Sequence, residues 1–246
     1  MIISTEAIVL STIKYGDTSK IVSLYTRADG KISVIAKSAR AAKNKYGASL
    51  EPMSLIKVNY YKKSATGLHL LSDAELISQS KGLLSSLDIM SCGLAIVEAS
   101  KITQDEGEQN VELFELITSS LLLLNTEPKN PFSIFLFFLI GLCHIMGFEL
   151  DFGVAETRAS NYSKNFFSLA DGCIISYERS IHHNSIKISA TLIKVLAELS
   201  SITLTESTSV NINDNQRKEA INFFEKYISY HLENSINFRS YELVDY

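Results

Sequence analysis

The chain has 246 residues, of which 46% are hydrophobic and 20% are charged, and this balance excludes a largely disordered protein. Its formal net charge is −4, but the charge is unevenly distributed along the chain: residues 1–63 contain eleven Lys and Arg residues and four acidic ones. The remaining residues contain 12 basic and 23 acidic side chains, so a basic first quarter (+7) precedes an acidic body (−11), and we expect two modules with different partners.

Short segments rich in Ile, Val, Thr and Tyr predict five β-strands in residues 1–78, which we expect to be the first domain. The segments are 5–13, 19–26, 30–38, 54–61 and 67–76. Asp29 and Gly30 suit the tight hairpin turn between the second and third strands. Five short strands with one apolar face each predict a closed OB-fold barrel, although an SH3-like barrel would have the same number of strands.

Helical spacing of apolar residues begins after Leu76 and predicts a helical domain over residues 79–246, which makes the whole an α+β fold. Five helices are expected near residues 83–97, 113–124, 131–146, 188–201 and 214–236. The third is apolar on all sides, so we expect the others to form a bundle around it. We expect Asn130 to cap the third helix, Pro131 to occupy its first turn and Gly147 to follow its end. Asp214 is the expected cap of the fifth helix.

The apolar run within the third helix, residues 132–143, falls short of the roughly 18 residues that a bilayer-spanning helix needs. The N-terminus shows no signal-peptide pattern, and Cys92, Cys143 and Cys173 are widely spaced. We therefore expect a cytoplasmic protein with reduced thiols and no contact with a membrane. Residues 148–180 interrupt the helical pattern and predict a small inserted two-stranded lobe around Asp171-Gly172.

Basic residues and tyrosines at the predicted turns of the barrel suggest a nucleic-acid-binding surface. Phosphate backbones need several cations on one face, and exposed tyrosines can stack on bases. The candidates follow the third strand, surround the first turn and flank the hairpin tip; they are Lys14, Tyr15, Lys20, Arg27, Lys31, Lys37, Arg40, Lys43, Lys45 and Tyr46. Tyr61 is a further tyrosine that we expect to be exposed.

Motifs of catalysis are missing from the sequence, which contains no phosphate-binding glycine loop, zinc-protease motif or nucleophile elbow. Asp73 and Glu75 could be a metal pair, but a turn or strand-edge position explains them more simply. Adjacent His182 and His183 lack a third ligand and suit a solvent-facing loop. We therefore expect no catalytic residue, no metal and no cofactor, and a chain that is not an enzyme.

Residues 6–61 resemble the N-terminal domain of the bacterial recombination mediator RecO family. The family pattern is an apolar strand, a Y-G-[ED] turn, T-x-x-x-G-K, A-K-G-A-R and a basic loop ending in F/Y-G-x-x-L-x-P. It is matched here by Tyr15-Gly16-Asp17, Thr26 to Lys31, Ala36 to Arg40, and Tyr46-Gly47 through Leu50 to Pro52. Ser38 replaces the usual glycine of the fourth element.

The resemblance implies an OB-fold followed by a helical domain that binds single- and double-stranded DNA and anneals complementary strands. It implies that the chain, with RecR, helps RecA to replace single-strand-binding protein, whose acidic and apolar C-terminal tail it would contact. Lys81, Lys101 and Lys129 are candidate cations for that tail. Many members hold zinc in the lobe with four cysteines, whereas residues 148–180 contain only Cys173, so we expect a metal-free lobe held by Phe152, Phe166, Phe167 and Ile174.

Two alternatives fit the same residues. One is an RNA-binding barrel with a helical dimerisation domain. The other is a metal-dependent nuclease that uses Asp73, Glu75 or Asp171.

Overall fold

The computed structural model describes residues 1–41, 43–63, 67–78, 81–148, 150–153, 165–175, 180 and 184–241. The chain divides into two compact units. The first contains Met1–Glu127 and Ser240–Tyr246, and the second contains Pro128–Arg239. Among the described residues, no helix combines the length and the apolar character needed to cross a membrane.

Five strands of the first unit form a closed barrel, as predicted. They are β1 (Ile2–Tyr15), β2 (Ser19–Thr26), β3 (Gly30–Ala36), β4 (Leu55–Tyr61) and β5 (Leu68–Leu76). The order around the barrel is β1-β2-β3-β5-β4, and β4 pairs with β1 to close it. The pairing of β3 with β5 is parallel, whereas the other four are antiparallel. This is the arrangement of an OB-fold.

Alternation of side chains along the strands separates the barrel's core from its outer face. In β2, Val22 and Leu24 point into the core, and in β3 Val34 does so between Ile32 and Ala36. The intervening residues of both strands, including Ser23 and Ser33, are only partly buried and face outward. The two turns that flank β2 consequently lie at opposite ends of the barrel, as in any antiparallel meander.

Five α-helices follow the barrel in the described part of the chain. The first unit contains α1 (Leu87–Thr103) and α2 (Val111–Leu124), and the second contains α3 (Pro131–Ile145), α4 (Ala190–Ser201) and α5 (Asp214–Leu232). Short 3₁₀ helices cover Gly82–Leu84 and Glu206–Ser209. The expected order of barrel and helices is confirmed, but α1 and α2 pack in the unit of the barrel, so the bundle around α3 contains fewer helices than expected.

The helix ends follow the sequence signals in part. Pro131 begins α3, and Gly147 follows its end with a φ of 78°. The side chain of Asn130 makes no capping bond and instead donates to the Thr208 carbonyl at 2.9 Å. Asp214 is not the cap of α5, because the preceding Asn213 accepts the bond from the Gln216 amide at 3.0 Å, and the Gln216 side chain completes a capping box.

The inserted lobe is a three-stranded sheet and not the two-stranded one predicted. It consists of β6 (Asn165–Ser168), β7 (Ile174–Ile175) and β8 (Ser185–Ile188) in the order β7-β6-β8, so the third strand lies beyond the predicted limit at residue 180. Phe152 and Phe167 are buried, with ring centroids 5.4 Å apart, and Phe167 also packs on Phe223 of α5 at 5.0 Å. Phe166 and Ile174 are half-buried. Residues 154–164 and 176–179 of the predicted lobe, and His182-His183, lie outside the described residues.

A polar cluster joins the β2–β3 turn to β4 and β5. The Asp29 carboxylate accepts hydrogen bonds from Lys62 Nζ at 2.6 Å and from the Tyr60 hydroxyl. His69, only 1% exposed, stacks on Tyr60 with ring centroids 5.6 Å apart. Burial tends to raise the pKa of Asp29, but the bonds from Lys62 and Tyr60 outweigh it and leave that pKa lowered.

We expect His69 to make the stability of the protein depend on pH. Burial, followed by the charge of Lys62, lowers the pKa of His69 below its ordinary 6.5, so protons bind preferentially to the unfolded chain. The stability contributed by neutral His69 is fully present above pH 6.5 and is lost as the pH falls through its lowered pKa. Denaturant midpoints should therefore fall from pH 7 to about pH 5, and less steeply in His69→Gln.

His231 also contributes to the pH dependence of stability, and it contributes to both protein variants in this measurement. Burial also lowers the pKa of His231, but His231 is present in both proteins. The difference between the wild-type and His69→Gln profiles therefore reports His69 alone. Parallel profiles would show that His69 does not contribute in this way.

Candidate nucleic-acid interface

The long loop between β3 and β4, residues 37–54, folds onto the end of the barrel. Ala39, Tyr46 and Leu50 are buried and belong to the hydrophobic core of the barrel. The Thr12 hydroxyl of β1 donates to the Leu50 carbonyl at 2.6 Å, and the Met53 amide donates to the Val9 carbonyl at 2.9 Å. The described part of this loop is therefore a packed cap and provides a fixed base for its basic side chains.

Hydrogen bonds tie the first part of the loop to the β1–β2 turn. The Arg40 amide donates to the Thr18 carbonyl at 2.8 Å, and Arg40 Nη1 donates to the Gly16 carbonyl at 3.2 Å. Ser38 has a φ of 59°, in the left-handed region, which is a physical reason for the glycine that the family pattern has at this position. The loop and the turn thus form one surface.

Four basic residues on this surface, Lys14, Lys37, Arg40 and Lys43, are exposed, and we call them the cationic end. Lys14 is the last residue but one of β1, and Lys37 directly follows β3. The side chains of Lys14, Lys37 and Lys43 make no hydrogen bond or ion pair with any other described residue, so their charges are available to a ligand. Tyr15 lies beside Lys14 and is 50% exposed, and the turn also contains the acidic residue Asp17.

Lys20 and Lys45 lie near the cationic end but are engaged within the molecule. Lys20 Nζ is 3.0 Å from the Glu51 carboxylate, and its side chain is 19% exposed. Lys45 donates to the Ser72 carbonyl and lies 3.9 Å from the Asp73 carboxylate. Lys45 is 59% exposed, so its contacts are those of a surface pair, which contributes little to stability.

Arg27 and Lys31, predicted to belong to the same surface, lie at the opposite end of the barrel. Arg27 forms ion pairs with Glu6 at 3.0 Å and with Glu115 of α2 at 2.6 Å. Lys31 Nζ donates to the Lys101 carbonyl at 2.9 Å, and burial lowers its pKa. The prediction of one cationic surface was wrong for these two residues, because β2 separates the hairpin tip from the first turn.

The expected set of stacking tyrosines is also reduced. Tyr46 is 4% exposed and packs in the barrel core, so the expectation that it is an exposed stacking residue is wrong. Tyr61 is 43% exposed, but it pairs with Ile2 at the other end of β1. Of the three tyrosines, Tyr15 adjoins the cationic end.

The acidic candidates for metal binding do not converge in the described residues. Asp73 and Glu75 lie on the outer face of β5, opposite Asn59 and Lys57 of β4. Asp171 belongs to the second unit, where its carboxylate accepts a hydrogen bond from Ser168 in the turn between β6 and β7. Over the part of the chain that the structure describes, no three His, Cys, Asp or Glu side chains are grouped to hold a metal.

Two family models match the chain. The model described as Recombination protein O N terminal matches residues 1–80, and the one described as Recombination protein O C terminal matches residues 84–241. The chain belongs to the RecO family. Proteins of the RecO family act in DNA repair and recombination, and the division between its two models follows the end of the barrel.

Curated relatives agree with membership of the RecO family. A DNA repair protein RecO from Pelodictyon phaeoclathratiforme is 26% identical over 255 residues, covering 99% of this chain and 98% of the relative. One from Thermodesulfovibrio yellowstonii is 31% identical over 237 residues, covering 93% and 91%. A third, from Chloroherpeton thalassium, is 36% identical over 152 residues, or 62% of this chain, and this match covers only 59% of the relative's length.

Proposed function

We propose that this RecO-family chain is a non-enzymatic recombination mediator that binds single- and double-stranded DNA through the cationic end of its barrel. The observation that carries the proposal is that Lys14, Lys37, Arg40 and Lys43 are exposed on the loop and strand end beside the β1–β2 turn. The side chains of the three lysines are not paired with any described residue. Cations in this arrangement displace counterions from a phosphate backbone, which is the main source of affinity for nucleic acids.

Strand annealing follows from the same charges. Two complementary strands repel one another through their phosphates, and a surface that neutralises phosphates lowers that repulsion. Lys14 lies in β1, and the Arg40 amide is hydrogen-bonded to the β1–β2 turn, so both cations project from ordered backbone. Tyr15 supplies an aromatic ring on which a base can stack.

The acidic remainder of the chain is the part that we propose contacts other proteins. Residues after position 63 contain 12 basic and 23 acidic side chains, a composition that disfavours phosphate backbones. In this proposal the chain acts with RecR to load RecA onto DNA covered by single-strand-binding protein, and it contacts the C-terminal tail of the latter. Lys81, Lys101 and Lys129 remain candidate contacts of that tail.

A binding titration at several salt concentrations tests the DNA-binding proposal. We expect the logarithm of the affinity for a labelled oligonucleotide to fall linearly with the logarithm of the salt concentration. Each phosphate contact should contribute about −0.7 to the slope on single strands and about −0.9 on duplexes. Annealing of labelled complementary strands should accelerate in the same salt range. Binding that is absent, or that does not depend on salt, would contradict the proposal.

A competition assay and a cleavage assay distinguish this proposal from the RNA-binding and nuclease alternatives. RNA and DNA oligonucleotides of one sequence should compete comparably if phosphates dominate, whereas a strong preference for RNA would favour the RNA-binding alternative. Incubation with Mg²⁺ or Mn²⁺ should leave labelled DNA intact. Reproducible cleavage that Asp73→Asn abolishes would favour the nuclease.

Addition of the purified partners tests the mediator role. We expect RecR to form a complex with the chain, and the two together to speed RecA assembly on DNA covered by single-strand-binding protein. Assembly at the same rate with and without the chain would contradict this part of the proposal while leaving the DNA-binding part unaffected.

A further inference from the structure

Strands β1, β2 and β3 share an outer face with two rows of unlike side chains. The pairing registers align Ile13 with Ile21 and Ile21 with Ile35, which gives an apolar row beside the cationic end. The next row along the strands consists of the serines Ser11, Ser23 and Ser33. Ile13 is 58% exposed, so the apolar row faces solvent.

A groove of about 280 Å³ lies over these rows, and we call it the serine groove. Its floor contains the three serines with Ile13 and Ile21, and the end of α1 provides a wall that includes Lys101 and Ile102. Glu106, which follows α1, also lines the groove, and its carboxylate accepts a hydrogen bond from Ser33 Oγ at 2.7 Å. The volume is slightly below that of sites for drug-sized ligands and suits a single ring system.

The side chains of the serine groove match the chemistry of a nucleobase. Isoleucines offer an apolar surface to the face of a base, while hydroxyls can donate to or accept from its edge. A carboxylate such as that of Glu106 can accept from an exocyclic amino group, as in base recognition generally. Along β1, Tyr15 is two rows from Ser11, a backbone separation of about 13 Å at the rise of a β-strand.

An acidic peptide fits the serine groove less well. Glu106 lines the groove, and Asp105 is close enough to influence the charge of Lys31. These two carboxylates oppose the positive charges of Lys31 and Lys101, so the groove has no excess of cations. An uncharged base avoids the repulsion that an acidic side chain would meet there.

We propose that the serine groove receives an unstacked base of a single strand whose phosphates are bound at the cationic end. This inference rests on the proposed DNA-binding function and adds to it a contact that a duplex cannot make, because the bases of a duplex are stacked and paired. The protein should therefore have a base-dependent component of affinity that is specific to single strands.

The experiment compares a normal single strand with an abasic strand of the same length, using the full chain. The wild-type protein should bind the normal strand more tightly, on the order of tenfold for one accommodated base. Ser23→Leu fills the groove and should reduce this ratio nearly to one, without changing the affinity for the abasic strand or for a duplex. The matched control is Ser4→Leu, an exposed serine of β1 that lies outside the groove, opposite Asn59 of β4, and it should keep the wild-type ratio.

A second variant guards against misfolding of the first. Ile13→Ser changes an exposed side chain. It should also reduce the ratio of affinities for the normal and abasic strands, because it removes apolar contact with the base. Suppose that wild-type binding depends on salt and that both groove variants keep the wild-type ratio of affinities for the normal and abasic strands. This result would refute the base-binding role of the serine groove and leave the proposed DNA-binding function standing. Equal losses on normal and abasic strands would also refute the base-binding role. Failure of the wild-type protein to bind any DNA would instead remove the proposed function itself and the inference with it.

Discussion

Replacement of both Lys37 and Arg40 by glutamate is expected to lower the affinity for a single-stranded oligonucleotide by at least about tenfold. Both side chains lie at the cationic end, on backbone that is bound to the β1–β2 turn through the Arg40 amide, which the substitution retains. Two lost phosphate contacts should reduce the slope of log affinity against log salt by about 1.4. Fluorescence anisotropy at four or five salt concentrations measures both quantities.

The matched control for this variant changes the net charge equally at another place. Lys194 and Lys226 are exposed residues of α4 and α5, and their replacement by glutamate should leave the slope unchanged. The Lys37→Glu, Arg40→Glu protein should keep its thermal midpoint within a few degrees, because the bond lost from Arg40 Nη1 is exposed. An equal loss of affinity in both double variants would mean that net charge, rather than the cationic end, governs binding.

Local patterns in the sequence were sufficient to predict the barrel. Alternation in β4 and the Asp29-Gly30 turn depend on neighbouring residues, and both appear as expected. The distribution of helices between the two units depends on contacts between distant residues, such as the bond from the Ser240 amide to Glu98. Periodicity carries no information about such contacts, so the sequence predicted the helices but not their grouping.

The candidate site was predictable for residues that keep their charge exposed. Lys37, Arg40 and Lys43 lie in the loop that follows β3, and all three are exposed. The ion pair that engages Arg27 could not be recognised, because its partner Glu115 lies on a helix far along the chain. Its distance from the first turn could have been anticipated, since an antiparallel strand places its two turns at opposite ends. Tyr46 lies in a loop without periodicity, so no pattern indicated its burial.

Replacement of Tyr46 by alanine is expected to reduce the free energy of unfolding by about 3 kcal/mol, as large-to-small substitutions of buried aromatic residues do. Tyr46 belongs to the same loop as Lys37, Arg40 and Lys43, and its buried side chain anchors that loop in the barrel core. Its loss should therefore also loosen the cationic end and weaken DNA binding without removing a cation. Denaturant unfolding monitored by circular dichroism measures the stability, and anisotropy measures the binding.

Tyr46→Phe is the control that separates packing from other roles of the ring. The Tyr46 hydroxyl makes no hydrogen bond with any described residue, so the phenylalanine variant should unfold within about 0.5 kcal/mol of the wild type. It should also bind DNA normally. If Tyr46→Ala instead kept full stability and lost affinity, the ring would be acting as a stacking surface and its place in the core would be wrong.

The contacts of the β2–β3 turn set a lower limit on the smallest autonomous fragment of this protein. The Lys31 carbonyl accepts from the Gly107 amide at 2.8 Å, Gln109 donates to the Arg27 carbonyl at 3.0 Å, and a Cβ on Gly30 would collide with the Glu108 carbonyl. Truncation after the last barrel strand would strip this turn of its covering and expose groups that are now paired. A shortened version intended for DNA-binding assays should therefore extend at least through α2.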